Sequence, residues 1–404
     1  MATQTGYKAS ELGMIPLDWD IVEFEEICQI RKQKVNPLFQ SGEFCVELEH
    51  LEPETGLLLG NTVTKPNSSI KTVFQNGDVL FGKLRAYLRK YWLANQDGIC
   101  STEIWAFVAT NKAINPFLFY VVQTEQFIKA ASEAYGTHMP RSDWNVVKNY
   151  LLPLPPLPEQ TAIATALSDT DALISSLQTL IAKKQAVKLA AMQNLLSGKI
   201  RLPEFAQRPD GSLKTTRQTE LGCVPEDWEV VELGSVAFIK TGSKNNQDKK
   251  ENGQYPFFVR SATVEQIDTY SYDCEAILIP GEGNIGSIFH YINGKFDAHQ
   301  RVYVIRDFYN VIGKFVFFAL KQNFGKHAME NTVKATVDSL RLPTFQNFKF
   351  AIPKSTTEQT AIAQLLNDMD AEIEALECRL KKTQSLKQGM MQTLLTGKIR
   401  LPLE

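Results

Sequence analysis

The chain has 404 residues, 44% of them apolar and 22% charged, with a formal net charge of −2. That is a globular composition large enough for two or three domains, and the near-neutral balance excludes a protein that coats nucleic acid by bulk positive charge. A local basic surface stays possible, because the phosphate-dependent part of DNA binding is set by the few Lys and Arg that touch the backbone.

No run approaches the roughly 18 apolar residues of a membrane span, and the start, Met1-Ala2-Thr3-Gln4-Thr5-Gly6, lacks a basic region followed by an apolar stretch. A cytoplasmic protein with no membrane partner is the expectation. The six cysteines (Cys28, Cys45, Cys100, Cys223, Cys274, Cys378) are scattered singly, with no CxxC pair and no nearby His at ligand spacing. They read as reduced side chains, and neither a metal nor a cofactor is expected.

The first body opens with Glu11-Leu12-Gly13-Met14-Ile15-Pro16 and Trp19. Asn76-Gly77 between the apolar runs of 73–81 predicts a turn, and 98–108 alternates like one strand. Asn115-Pro116 followed by an apolar run predicts a helix through Ala131. The Pro-rich stretch Pro153-Leu154-Pro155-Pro156-Leu157-Pro158 ends this body and marks where a long helix begins, while Gly198 sits where a helix end favours glycine. The second body opens on the same frame, Glu220-Leu221-Gly222-Cys223-Val224-Pro225 with Trp228. In it, 276–280, 287–292 and 301–305 read as strands broken by Gly and Asn turns, one of them at Asn293-Gly294, and 311–322 reads as a helix.

The helical blocks repeat. Glu159-Gln160-Thr161-Ala162-Ile163-Ala164 returns as Glu358-Gln359-Thr360-Ala361-Ile362-Ala363, a step of 358 − 159 = 199, and Gly198 to Gly397 is also 199. Trp19 to Trp228 is 209, so the two bodies differ by 209 − 199 = 10 residues, and their middles look unrelated. Within the blocks Ile163, Leu167, Ile174, Leu177 and Ile181, and Ile362, Leu366, Ile373, Leu376 and Leu380, fall on a pattern of alternating steps of four and three that Thr170 and Met369 complete. Such a heptad seam is too narrow to be a core alone and calls for a partner, either the other copy or the neighbouring globular body. By repeat position Lys184 falls opposite Thr383 and Lys188 opposite Lys387, a polar layer that either fixes register or lets the Lys stems snorkel.

This organisation resembles the specificity subunit of Type I restriction-modification systems over essentially the whole chain. The most specific residues are Leu152 to Gln160, the endings Leu195-Leu196-Ser197-Gly198-Lys199-Ile200-Arg201 and Leu394-Leu395-Thr396-Gly397-Lys398-Ile399-Arg400, and Gly13-Met14-Ile15-Pro16 with Trp19. The second helix approach, Ile352-Pro353-Lys354-Ser355, departs by losing the extra prolines. The resemblance implies an α+β fold in which two globular target recognition domains of mixed α/β content alternate with two long spacer helices, paired as an antiparallel coiled coil with pseudo-twofold symmetry. It places the first recognition domain at 1–153, its spacer helix at 154–203, a linker at 204–216, the second recognition domain at 217–353 and the second spacer helix at 354–404. It also implies a noncatalytic reader of double-stranded DNA with a split target, whose partners are two methyltransferase subunits and the restriction (motor-nuclease) subunits.

In the first domain the stretch 83–91, with Lys83, Arg85, Tyr87, Arg89 and Lys90, carries four cations and no acid, a pattern suited to phosphates and, through Arg, to guanine. A charged run is equally the mark of an ordinary solvated face. Thr137, His138 and Arg141 lie in a stretch resembling a family loop near DNA, with a structural His as the plain alternative. In the second domain Lys240, Thr241, Ser243 and Lys244 combine basic and polar groups with Gly242, and could equally be a surface loop. His299 and Arg301 resemble family recognition segments, and Lys334 and Thr336 occupy a place comparable to Thr137.

Enzyme motifs are lacking. Gly281-Glu282-Gly283-Asn284-Ile285-Gly286 fits GxGxxG but precedes a β-rich stretch, not the helix a dinucleotide site requires, so its glycines read as turn residues. Asp227 with Asp248-Lys249-Lys250 only loosely imitates a nuclease pattern, and neither an amino-methyltransferase signature nor GxxxxGK[ST] occurs. The competing class is a two-lobed coiled-coil adaptor that binds proteins and not DNA.

Overall fold

A computed structural model describes residues 6–36, 43–63, 69–133, 140–331 and 339–402. The chain divides into two compact units, one made of Met1–Gln178 with Cys378–Glu404, the other of Thr179–Glu377. The boundaries between these units fall inside the two long helices, Leu157–Leu195 and Thr356–Leu394. The stretch expected as a linker is ordered, with a helical turn at Pro203–Ala206 and ion pairs from Arg208 to Glu226 and from Lys214 to Asp227.

Each long helix has 39 residues, on the order of 58 Å at about 1.5 Å per residue. Pro158 sits in the first turn, where a missing N–H costs nothing. Gly198 and Gly397 end the helices with φ of +70° and +68°. A Cβ there would stand 2.5 Å from Pro225 and from Pro16 respectively, so both conformation and space demand glycine.

Within each unit the two helices pair antiparallel. In unit 1 Asp171 meets Lys387 at 2.7 Å and Thr170 meets the Met390 sulfur at 3.6 Å. In unit 2 Lys188 pairs with Asp370, and Lys184 with Glu372 at 2.7 Å. The expected layer of Lys188 against Lys387 and Lys184 against Thr383 is therefore wrong. Reading equivalent positions across from each other presumes a parallel pair, whereas antiparallel packing sets each lysine against an acid of the other helix. All ten seam residues are buried or half-buried, and the helix pair joins each domain core, with Leu167 and Leu394 packed near Trp19 and Leu196 and Leu366 near Trp228.

In unit 1 the domain holds a four-stranded and a five-stranded sheet, and in unit 2 one six-stranded sheet. The registers make the domains equivalent residue by residue. Ile104 pairs with Gly82 and Val302 with Pro280, Gly98 with Phe74 and Phe296 with Tyr272, all at a step of 198. Cys45 pairs with Ile99 and Phe257 with Asp297, a step of 257 − 45 = 212 on the outer strand. The steps 209, 212, 198 and 199 place the length difference: +3 − 14 + 1 = −10, most of it before the strand Lys71–Phe74. From there the unrelated-looking middles correspond without a gap.

Several local expectations change. The Asn76-Gly77 turn is present, but it connects strands Lys71–Phe74 and Val79–Gly82 of different sheets. In unit 2 the single strand Tyr272–Pro280 runs through the equivalent place. The stretch 98–108 is two strands, Gly98–Ser101 and Ile104–Ala109, broken at Thr102-Glu103. The first helix is two, Asn115–Val121 and Glu125–Ser132, because Thr124 caps the second by accepting from the Phe127 amide. Asn293-Gly294 forms no turn and lies within strand His290–Ala298, which begins later than expected. The unit 2 helix, Gly313–Glu330, runs further than the periodicity suggests.

Candidate nucleic-acid interface

The repeated residues form a clamp in each unit. In unit 1 Arg400 bonds Glu159 through Nε and Nη2 (2.9 and 2.7 Å) and Asp18 through Nη1 and Nη2 (both 2.8 Å). In unit 2 Arg201 does the same with Glu358 (2.9 and 2.5 Å) and Asp227 (2.7 and 3.0 Å). These forks join the end of one helix to the start of the other and to the Trp frame. Trp19 Nε1 donates to Glu159 at 2.9 Å, whereas the buried Trp228 Nε1 has no partner among the described residues. The neighbouring glutamines orient the domains: Gln160 accepts from the Ile114 amide at 3.1 Å and Gln359 from the Ile312 amide at 2.8 Å, in each case at the start of a domain helix. Asp227, part of the nuclease-like decoy, is thus committed to structure.

Asp18 and Asp227 both titrate below the usual carboxylate range. For Asp18 the Arg400 hydrogen bond is the main cause; at Asp227 burial pushes upward and the bonds from Arg201 and Lys214 outweigh it. A carboxylate lowered by folding contributes stability that is present above its unfolded pKa of about 4 and is lost as pH falls through the lower folded value. Acid unfolding curves should therefore steepen below about pH 4, and Asp227→Asn should flatten that part of the profile.

Three loops converge on one face of each domain. In unit 1 the Lys83 amide bonds the Glu103 carbonyl (3.0 Å), the Ser142 amide bonds the Lys83 carbonyl (2.9 Å), and Leu84 bridges Arg141. Unit 2 repeats this at a step of 198. The Gly281 amide bonds the Arg301 carbonyl (2.8 Å), the Leu340 amide bonds the Gly281 carbonyl (2.7 Å), and Glu282 bridges Ser339. Arg85 and its counterpart Gly283 both have positive φ, +55° and +87°. The loop that mimics GxGxxG is thus the counterpart of the basic loop of the first domain, and the strand His290–Ala298 follows it where a dinucleotide site needs a helix. The sequence reading took this loop, Glu282 included, for turn glycines and passed over Arg260. Only the 198 step could have revealed them, and that step emerges from strand pairing.

The expected contact residues divide. Arg85 and Tyr87 are exposed and Lys83 is half-buried. Arg89 is paired with Glu125, Lys90 donates to the Leu48 carbonyl at 2.6 Å, and Arg141 pairs with Glu103 at 2.9 Å. Lys240 and Thr241 belong to strand Phe238–Thr241, which leads into the stretch from Gly242. Exposed Ser243 and half-buried Lys244 follow it, and Lys244 approaches Asp297 at 3.8 Å. His299 is buried, its Nδ1 accepting from the Arg301 amide at 3.0 Å, and burial lowers its pKa, helped by Arg260 and Arg301. The Arg301 side chain is 58% exposed and meets Glu282 at 2.8 Å. Thr137, His138, Lys334 and Thr336 lie outside the described residues.

Each unit also has a groove between its domain and its helix pair, of about 890 Å³ in unit 1 and 1140 Å³ in unit 2. Their helix walls correspond at a step of 199: Lys188, Met192, Asp370 and Ile373 in one, Lys387, Met391, Asp171 and Ile174 in the other. Among the described residues no helix is long and apolar enough to cross a membrane.

A family model for the Type I restriction modification DNA specificity domain matches the chain twice, over residues 16–186 and 225–384. The EcoDI specificity subunit of Escherichia coli is 34% identical over 175 residues, which span 43% of this chain and 38% of that protein. The MjaVIII specificity subunit of Methanocaldococcus jannaschii is 26% identical over an alignment of 422 residues, covering 96% of this chain and 94% of that one. Among solved structures, the restriction-modification S subunit from M. genitalium superposes with a TM-score of 0.65 at 15% identity, over 98% of both chains. The HsdS subunit from Thermoanaerobacter tengcongensis does so with 0.51 at 20% identity, over 95% and 98%. Both likenesses concern the fold, which agrees with the two mixed domains and long helices seen in this chain. With two matched copies of the domain together spanning most of its length, the chain belongs to the Type I restriction-modification DNA specificity family.

Proposed function

We propose that this chain is the noncatalytic DNA-reading subunit of a cytoplasmic Type I restriction-modification complex. Each domain reads one half of a split target, and the helix pair sets the gap between the halves. Two methyltransferase subunits dock along the helices, and restriction subunits complete the enzyme. The observation that carries this reading is the contrast between constant and variable parts: the Arg and Glu of the clamp and the helix walls recur at a step of 199, and the clamp Asp at the 209 step of the Trp frame, while the three-loop faces they support differ in charge. Like frames suit like partners, and unlike faces suit unlike base sequences. The paired grooves support two copies of one partner.

Sequencing the methylated bases of the host genome tests it. The expected result is a split motif with a fixed gap whose methylation disappears when the gene is deleted. Unchanged methylation after deletion would overturn the DNA-reading function and favour the adaptor.

A further inference from the structure

The structure assigns a guanine-reading pair to the second domain: Arg301 and Arg260, both held by the carboxylate of Glu282, which acts as a positioning residue. This rests on the DNA-reading function proposed above. Glu282 is mostly buried, and its two oxygens are divided between the two guanidiniums, with Arg301 Nη1 on Oε1 at 2.8 Å and Arg260 Nη1 on Oε2 at 3.4 Å. Both arginine side chains are more than half exposed and meet the carboxylate through Nη1, which among the described residues leaves Nε and Nη2 as a fork. Two parallel donors in one plane match the O6 and N7 acceptors that guanine shows in the major groove.

The carboxylate favours base reading over a phosphate clamp. It leaves the trio with a net charge of +1 and would repel a phosphate brought between the arginines, while holding two long side chains near one geometry before DNA arrives. The base of the trio is fixed by the loops beneath it: His299 accepts from the Arg301 amide, and Glu282 bridges Ser339. Nearby, Gln300 donates to Asn245 at 2.6 Å and its amide bonds the Lys244 carbonyl at 2.8 Å, tying the strand end at Thr241 to the same face.

The first domain cannot repeat this contact. By strand register Arg301 corresponds to Glu103 and Glu282 to Leu84, at the step of 198. Arg260, two residues past Phe258, corresponds to Leu48, two past Val46. The trio is therefore replaced by Glu, Leu and Leu, and a difference between the two half-sites follows at the base that the trio faces.

The test uses the intact restriction-modification complex in its host, carrying Arg301→Lys, Arg260→Lys or Glu282→Gln, with the methylated motif read by sequencing. Lysine keeps the charge but loses the fork. The expected result for each arginine variant is that one guanine in one half of the motif becomes degenerate, discrimination there falling on the order of ten- to a hundredfold, while the other half and the gap stay unchanged. Glu282→Gln should blur the same half without weakening binding of a duplex at low salt. If both lysine variants keep the motif and Arg301→Ala merely lowers binding to all duplexes, with a shallower salt dependence, the arginines are phosphate contacts and the assignment is overturned. A wild-type chain that directs no motif would overturn the underlying DNA-reading function instead, so the two failures are distinct.

Discussion

Replacing Arg201 with alanine is expected to cost unit 2 about 3–5 kcal/mol of stability, because it leaves an uncompensated charge in a dry site. The Arg201 side chain is 8% exposed and that of Glu358 only 2%, with Asp227 completing the fork. The contribution of an exposed ion pair is about 0–1 kcal/mol, but here the carboxylate has lost its water and both of its oxygens depend on one guanidinium. Denaturant unfolding read by hydrogen exchange in peptides from 179–377 measures the loss. Adding Glu358→Gln to the alanine variant should recover part of it by removing the stranded charge. A loss below about 1 kcal/mol would mean the clamp is not what holds the helix ends to the domain.

Inserting four residues into both long helices, after Gln178 and after Glu377, should lengthen the gap in the methylated motif by about one to two base pairs and leave both half-sites intact. Four residues add about 6 Å of helix, against about 3.4 Å of rise per base pair. The two sites are equivalent, since 377 − 178 = 199, and they coincide with the boundaries between the compact units. The pairs Asp171 with Lys387 and Lys188 with Asp370 are thus kept within their own units. An insertion in one helix alone leaves those pairs to compete with a shifted register, and methylation should be lost. A lengthened chain that still methylates the original motif would mean the helices do not set the gap.

The frame of this molecule was legible in the sequence because its parts are chemically unusual. A heptad seam, a glycine stop and a Trp after Pro each have a local physical meaning and each occurs twice, and a Pro-rich stretch marks the first helix entry. The pairing of the helices was not legible from repeat position, since equivalent lysines do not meet in an antiparallel pair and find Asp171 and Asp370 instead. Nor was the likeness of the two domain middles. Phe81 and Ile279, or Tyr120 and Phe318, fill equivalent core places with different side chains, and packing tolerates such exchange. The candidate DNA face was half visible. A run of cations announces Lys83 to Lys90, whereas Arg260, Glu282 and Arg301 are brought together from three separate loops at strand ends and leave no pattern along the chain. Conversely Arg89 and Lys90 belong to that run and are bound within the fold.

Unit 1 is assembled from the two extremes of the chain, 1–178 and 378–404, whereas unit 2 is one uninterrupted piece. Synthesis therefore delivers the parts out of order. Until residues 394–400 leave the ribosome, the core around Ile15 and Trp19 lacks Leu394 and Leu395, and the buried Glu159 carboxylate lacks Arg400. Closing that gap also carries the entropy of a very long loop, which folding of unit 2 shortens by tethering residues 179 and 377. The domain made first is thus the one finished last, and its core closes only once residues 378–400 have been made.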